Sequence, residues 1–358
     1  MSRNLTDALL TVLSDIEEQG TVVAARGSEQ REILSALVTM ERPTERVLTI
    51  PGRNNNIFAQ IAETLWVLAG RDDLAYLSRY LPRAADFSDD GATWRAAYGP
   101  RLRAWAGEVD QLHQVRMRLT EDPHTKRAVA TIFDPARDYV ETLDVPCNNW
   151  LHFLHRDGLL HLHVAVRAND AIWGFSGINT FEWSVLHELM ATTMGWKVGK
   201  LSWFVGTLHI YERHFETARQ ILRQRGIRSP YEFGIESPPI TIGLDQLDDT
   251  LQQVFVVDEL AHRGDHFGAR VENKAIDDPF FSAAATMLRA HAAYNGGTGR
   301  TDALAVLDEL PTCDFRIGGI EFLSRKLGPG ELGDLRPGEA DYFNYYWAMR
   351  DAATLLPV

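Results

Sequence analysis

Apolar residues recur at helical spacing from the start of the chain. Leu5, Leu9, Leu10, Leu13 and Ile16 predict an amphipathic helix over residues 5–18. From Glu29 to Ile50 the pattern alternates weakly through Ile33, Leu37, Val38 and Met40, then Val47, Leu48 and Ile50. This predicts two strands broken at Arg42-Pro43. Asn54, Asn55 and Asn56 offer caps for a second helix with an apolar face of Ile57, Phe58, Ile61, Leu65 and Leu68, ending at Gly70. Residues 78–105, with Pro82, Gly91, Gly99 and Pro100, have the character of a loop. A helix near 108–120 and a strand from Ala128 to Phe133 follow. Next comes a hairpin that opens with Val145-Pro146-Cys147-Asn148-Asn149-Trp150, turns at Asp157-Gly158 and returns from His161 to Asp170. Thr180 to Met194 is apolar on most sides and predicts a buried helix; Leu201 to Tyr211 predicts a strand and 212–225 a helix.

Beyond about residue 240 the pattern is helical only, over 243–262, 280–293, 301–310 and 341–356, with Gly-rich breaks at 295–299 and 327–333. There is no internal repeat and no Pro/Ser linker. The expected architecture is α/β (α+β), a mainly mixed sheet with packed helices. Residues 1–240 form the catalytic part, and 241–358 a helical extension packed on it.

Composition narrows the chemistry. The 358 residues suffice for a sizeable core, with 45% hydrophobic and 24% charged residues as in ordinary globular proteins. The net charge of −13 excludes a non-specific nucleic-acid surface, so a phosphate must meet a local cluster of cations. Arg26, Arg53, Lys126, Arg127 and Arg167 are the candidates. Two cysteines, Cys147 and Cys313, make no disulfide framework and suit a reducing cytoplasm. No signal peptide and no membrane-spanning apolar run of about 18 residues are apparent.

A cysteine after proline at the start of a hairpin is ordinarily a small buried hydrophobe. Arg167 returns on the adjacent strand, however, where its charge would favour a thiolate at Cys147. His152, His155, His161 and His163 invite a metal reading, but 161 and 163 share a face, 152 and 155 point oppositely, and no cysteine spacing supports a site. His187-Glu188 lacks a second histidine four residues on, so it is no zinc-protease helix. Glu63 stands between Ile61, Leu65 and Trp66, neighbours that would desolvate a carboxylate and raise its pKa.

Taken in order, these segments resemble the thymidylate synthase family over roughly residues 5–225. Ala62-Glu-Thr-Leu-Trp-Val-Leu-Ala-Gly70 followed by Asp73-Leu-Ala-Tyr-Leu77 resembles the segment carrying the family's essential glutamate. Tyr98-Gly99 with Arg103-Ala-Trp105 resembles its Tyr-Gly motif, and Pro146-Cys147 its nucleophile. Arg167-Ala-Asn-Asp170 resembles the Arg-Ser-x-Asp motif, Asn179 the base-reading asparagine, and His209-Ile210-Tyr211 the sugar-binding His-x-Tyr. The resemblance implies covalent addition of Cys147 to C6 of a pyrimidine, with 5,10-methylenetetrahydrofolate as one-carbon donor. It implies catalytic roles for Cys147, Glu63, Tyr98 and Asn148. Substrate would be held by Arg26, Lys126, Arg127, Arg167, Ala168, Asn179, His209 and Tyr211. The folate would be held by Asp170, Arg53, Phe87 and Gly174. Lys126 and Arg127 would come from the partner subunit of a homodimer.

Departures from the family pattern set the product. Ala84 and Phe87 fall where two tryptophans are expected, and a lost ring admits water to compete with hydride for the methylene intermediate. The family's Cys-His is Cys147-Asn148, its double arginine Lys126-Arg127, its Arg-Ser Arg167-Ala168, and one residue is inserted before Asn179. These features resemble the nucleotide hydroxymethylase branch, including cytidylate hydroxymethylases of nucleoside-antibiotic pathways. The expected substrate is CMP or dCMP ahead of dUMP, although Asn179 lacks the acid proton that cytosine-specific relatives use. An ordinary thymidylate synthase acting on dUMP and a non-catalytic dimeric nucleotide- or RNA-binding relative are the alternatives. Together, Cys147, Glu63 and Asp170 weigh against the last.

Overall fold

Among the described residues, six strands form one mixed sheet: β1 (Thr21–Ala25), β2 (Ser28–Met40), β3 (Val129–Thr131), β4 (Asn148–Arg156), β5 (Leu159–Asp170) and β6 (Lys197–Tyr211). In the computed structural model, which describes residues 1–25, 27–296, 299–325 and 334–354, the order is β1-β2-β6-β5-β4-β3. Only β5 and β6 are parallel, and a parallel pair needs a crossover. Here the turn Ala171–Asn179 and the helix Thr180–Met194 provide it. That helix is buried along most of its length and packs on β5 and β6, which is why its sequence shows no polar face. Gly195 ends it at φ 68°, a left-handed cap that glycine adopts without strain. At the β4–β5 turn Asp157 and Gly158 both have positive φ (53° and 76°), the geometry that matches strand twist in a two-residue hairpin.

The chain divides into two compact units: Met1–Thr44 with Ala62–Glu212, and Glu45–Ile61 with Arg213–Val358. The sheet lies in the first. Of the two strands expected between Glu29 and Ile50, one forms; β2 pairs with β6, and on its other side with β1, which the sequence pattern did not signal. Ser35, at φ 57°, interrupts β2 between Leu34 and Ala36, so its apolar alternation is broken and Leu34 and Leu37 stay exposed. Residues 78–105 are less irregular than expected, with a 3-10 turn at Pro82–Phe87 and a short helix at Tyr98–Arg103.

Residues 46–50 are buried, and 45–50 take no strand. They belong to the second unit, where helix side chains replace strand partners. Tyr231 Oη accepts from Val47 N at 2.9 Å, Tyr342 bonds Thr49 through their hydroxyls, and Gln224 Nε2 donates to Pro51 O at 2.9 Å. Farther along, Arg325 donates to Asn55 O, and Phe58 meets Phe322 edge-on with centroids 5.1 Å apart. The expected helices appear at Phe215–Arg223, Leu244–His262, Pro279–Asn295, Arg300–Leu307 and Pro337–Thr354; the break at 327–333 lies outside the described residues. Two further helices, His266–Lys274 and Asp314–Ser324, lacked a clear signal. The second contains Gly318 and Gly319, poor helix formers kept here by close packing. A Cβ on Gly319 would come within 2.8 Å of Leu307, and one on Gly318 within 3.2 Å of Val47. Contact therefore groups 45–61 and 213–240 with these helices. No described helix is long and apolar enough to cross a membrane.

Candidate active site

Antiparallel pairing of β4 and β5 sets Cys147 opposite Arg167. Arg167 N donates to Cys147 O at 2.9 Å, just beyond the Asn148–Val166 pair. The guanidinium folds back along the same segment, with Nε 2.9 Å from Pro146 O and Nη2 2.8 Å from Val145 O. Nη2 also lies 3.7 Å from Cys147 Sγ. A fixed cation with a donor at the sulfur is the environment a nucleophilic thiolate needs. Two backbone carbonyls hold that cation, so its place does not depend on a ligand.

Glu63, on the helix Ile57–Leu68, is buried in the first unit. Burial first, and then the charge of Asp144, push its pKa from the ordinary 4.5 up to about 8. A second buried acid, Glu182, lies on the helix Thr180–Met194. It is held well above 4.5 by burial and then by Glu63, and its two buried carboxyl oxygens have no hydrogen-bond partner among the described residues. Asn148 is fully buried and its amide is oriented. Trp183 Nε1, which can only donate, bonds Asn148 Oδ1 at 3.1 Å, so the Nδ2 end faces the Tyr98 hydroxyl. Tyr98 packs against Trp183 (centroids 5.5 Å) and stays a neutral donor, because burial and the nearby Cys147, Glu182 and Asp144 raise its pKa well above 10.

The Tyr98-Gly99 pair has a packing reason as well. A Cβ on Gly99 would sit 2.8 Å from Arg71 O, so only glycine lets the Tyr98 helix come this close. Arg101, two residues on, bonds Asp138 through two 2.7 Å contacts and Ile132 O through a third at 2.7 Å. Burial alone would raise the Asp138 pKa, but Arg101 holds it below the usual carboxylate range.

The segment where an inserted residue is expected, before Asn179, forms a π-helical turn, Ala171–Asn179, closed by Thr180 N donating to Phe175 O five residues back. Asp170 starts this turn. Its Oδ1 accepts from Ile172 N at 2.8 Å, while its buried Oδ2 has no partner among the described residues. Gly174 in the same turn admits no side chain, since a Cβ would fall 2.0 Å from Asn169 Oδ1 and 3.4 Å from Asn179 Oδ1. Parallel register aligns Ala168 with Thr207 and Asp170 with His209. Burial lowers the His209 pKa more than Asp170 raises it, so its ring is neutral at pH 7; Tyr211 meets it edge-on at 5.1 Å.

Cys147, Arg167, Asn148, Tyr98, Glu63, Asn179, Asp170, Gly174, Ala168, His209 and Tyr211 thus all belong to the first unit. So does Phe87, which is half-exposed and stacks on Trp94 with centroids 6.4 Å apart; Ala84 beside it is buried. Lys126 and Arg127 are exposed on the loop before β3. Arg53 is a buried residue of the second unit, and Arg26 lies outside the described residues. The four histidines lie on the β4–β5 hairpin. His152 faces His163 across β4 and β5, on the side that also carries His161, and His155 stacks on Trp196 at 3.8 Å. Sequence reasoning missed Glu182, Asp144, Trp94 and Trp183. Glu182 left one signal: a carboxylate in an otherwise apolar helix, three residues after Asn179 and so on the same face.

The geometry agrees with the comparisons. The family model for thymidylate synthase matches residues 8–255. The deoxyuridylate hydroxymethyltransferase of Bacillus phage SP01 is 32% identical over 351 residues, covering 89% of this chain and 91% of that protein. The protein of the same name from Pseudomonas phage M6 is 31% identical over 339 residues, covering 91% and 93%. A putative thymidylate synthase of Methanosarcina barkeri is 28% identical over 224 residues, 62% of this chain but 93% of its own length. The chain belongs to the thymidylate synthase family and is a one-carbon transferase.

Proposed function

We propose that the protein is a pyrimidine nucleotide C5-hydroxymethyltransferase that converts CMP or dCMP with 5,10-methylenetetrahydrofolate. When bound, the folate supplies a one-carbon unit at the oxidation level of formaldehyde. Its fit rests on Asp170, whose buried, unpartnered Oδ2 suits the N–H groups of a pterin. Cys147 adds to C6 of the ring, which makes C5 a carbon nucleophile. C5 would take up the one-carbon unit and lose its proton to solvent, and the bond from the transferred carbon to the folate would break with release of tetrahydrofolate. Water adds to the resulting exocyclic carbon, Glu63 accepts the proton from that water, and the thiolate leaves C6. The observation that carries hydroxymethylation over methylation is Ala84, a small side chain where the family pattern has an indole. An indole there excludes water; an alanine leaves room for it.

Arg167, with Lys126 and Arg127 from a second copy, binds the phosphate in this proposal; both are exposed on their own chain. Lys126 offers a point charge in place of a fork, and Ala168 leaves space where a hydroxyl is expected. Both changes suit a shifted sugar that accepts a 2′-hydroxyl. A second reading, dUMP as substrate, is favoured by the names of the phage relatives and by Asn179, an amide that suits uracil as well as cytosine. Incubation of the protein and methylenetetrahydrofolate with CMP, dCMP, UMP and dUMP separately, with products identified by mass, tests this. A 5-hydroxymethyl product from a cytidine nucleotide is expected; turnover of dUMP alone would establish the second reading.

A further inference from the structure

The strand ends near Arg167 carry a polar cluster that the chemistry above does not use, and strand pairing places it. Residues in register on neighbouring strands share a face of the sheet, as do residues two apart on one strand. On β6, His209 is in register with Glu32 of β2 on one side and Asp170 of β5 on the other. Thr207 is likewise in register with Leu34 and Ala168. Glu32, Thr207, Ala168, His209 and Asp170 therefore project from one face. Across it Thr207 Oγ1 donates to Glu32 Oε2. That bond uses one acceptor position of a carboxylate that has about four. His209 is 6% exposed, and neither ring nitrogen has a hydrogen-bond partner among the described residues. A buried imidazole in that condition, between two acidic side chains, is costly until a ligand completes it. Glu32, Thr207 and Ala168 are only half-buried, so a ligand can reach them.

We propose that Glu32, held by Thr207, reads the sugar of the nucleotide by accepting a hydrogen bond from a ribose 2′-hydroxyl. An ionised carboxylate can only accept, so it suits a hydroxyl donor and not a phosphate or a base carbonyl. Position points the same way. Ala168 follows Arg167, the phosphate cation of the proposed function, and in a nucleotide the sugar is the next group after the phosphate. The sugar therefore falls on the row that Ala168 shares with Thr207. The Ala168 methyl leaves the Thr207 side open and offers no hydroxyl to compete with that of the sugar. Thr207 is the positioning residue of the pair. Its neighbour Leu34 is 69% exposed, so the far side of the pair is open to water. Without the bond from Thr207, Glu32 is free to turn that way. A deoxyribose leaves the held carboxylate without a donor, and the loss is that of one hydrogen bond to a charged group.

This inference rests on the proposed function for the place of the phosphate, but not on its choice of base. Dissociation constants and kcat/KM are therefore measured in two series, CMP against dCMP and UMP against dUMP. The wild type should favour the ribonucleotide in whichever series it turns over. Glu32→Gln should weaken the ribonucleotide about tenfold and leave the deoxynucleotide within about twofold. Thr207→Val, nearly isosteric but without the hydroxyl, should move the same ratio in the same direction by less. Thr207→Ser, which restores the hydroxyl, should recover it. A 2′-deoxy-2′-fluoro nucleotide, which cannot donate at that position, should bind the wild type no better than the deoxynucleotide. A wild type that favours the deoxynucleotide overturns the inference. So do equal losses for both sugars in Glu32→Gln, which would show a merely structural residue, or no loss for either. Each of these leaves the one-carbon chemistry of the proposed function intact. A wild type that binds none of the four nucleotides overturns both.

Discussion

At the scale of the residue, Glu63 shows what the site costs. A carboxyl whose pKa rises from 4.5 to about 8 on folding binds its proton more tightly in the folded state. Below pH 4.5 both states hold that proton and there is no penalty. As the pH rises toward 8 the unfolded chain ionises and the folded one does not, so stability is lost through that window. At 1.36 kcal/mol per unit the loss at pH 7 is on the order of 3 kcal/mol. Glu63→Gln should therefore raise the melting temperature, with a larger gain at pH 8 than at pH 5. Calorimetry at the two pH values checks this, and an equal gain at both would show that Glu63 is not buried as a neutral acid. Activity should fall in the same variant, because the ionised fraction of Glu63, which grows toward pH 8, accepts the proton from water and an amide cannot. Glu182 adds a second acid of this kind nearby, and family motifs gave no hint of it. Its signal was physical: a charge placed where the helix periodicity asks for an apolar side chain.

At the scale of the element, local pattern was informative wherever local forces decide. The helix Thr180–Met194 and the Asp157-Gly158 hairpin were legible because continuous apolar character and a turn dipeptide each admit one conformation. Residues 45–50 were not. Their apolar alternation satisfies a strand equally well, and what prevents one is a set of side chains that follow up to 293 positions later in the chain. The π turn before Asn179 was legible only as an inserted residue, since nothing in its composition says where the extra length goes. The Tyr342–Thr49 hydroxyl pair is the most distant of the tethers on this segment, and both side chains are buried. Tyr342→Phe leaves Thr49 without that partner and should cost about 1–2 kcal/mol. A chemical denaturation midpoint unchanged by this substitution would mean that the segment is held by packing alone. The match to the phage hydroxymethyltransferases over about nine-tenths of both chains includes this helical part. The shorter Methanosarcina relative covers only 62% of the chain.

At the scale of the whole molecule, a chain of net charge −13 must attract an anionic nucleotide with local cations. Lys126 and Arg127 are exposed on their own chain, and we propose that they complete the phosphate site of a second copy. Mixing Arg127→Ala with Cys147→Ser subunits should then restore part of the lost activity, because half of the sites in each hybrid have both residues intact. A monomer by sedimentation, or no recovery on mixing, would contradict a shared site. The most direct measurement concerns the fate of the one-carbon unit. The reaction is run with a cytidine or deoxyuridine nucleotide and methylenetetrahydrofolate in ¹⁸O-labelled water, and both products are analysed by mass. Water capture beside Ala84 predicts a 5-hydroxymethyl nucleotide carrying one solvent oxygen, with tetrahydrofolate released. An unlabelled 5-methyl nucleotide, with dihydrofolate in equal amount, would show hydride transfer and contradict hydroxymethylation.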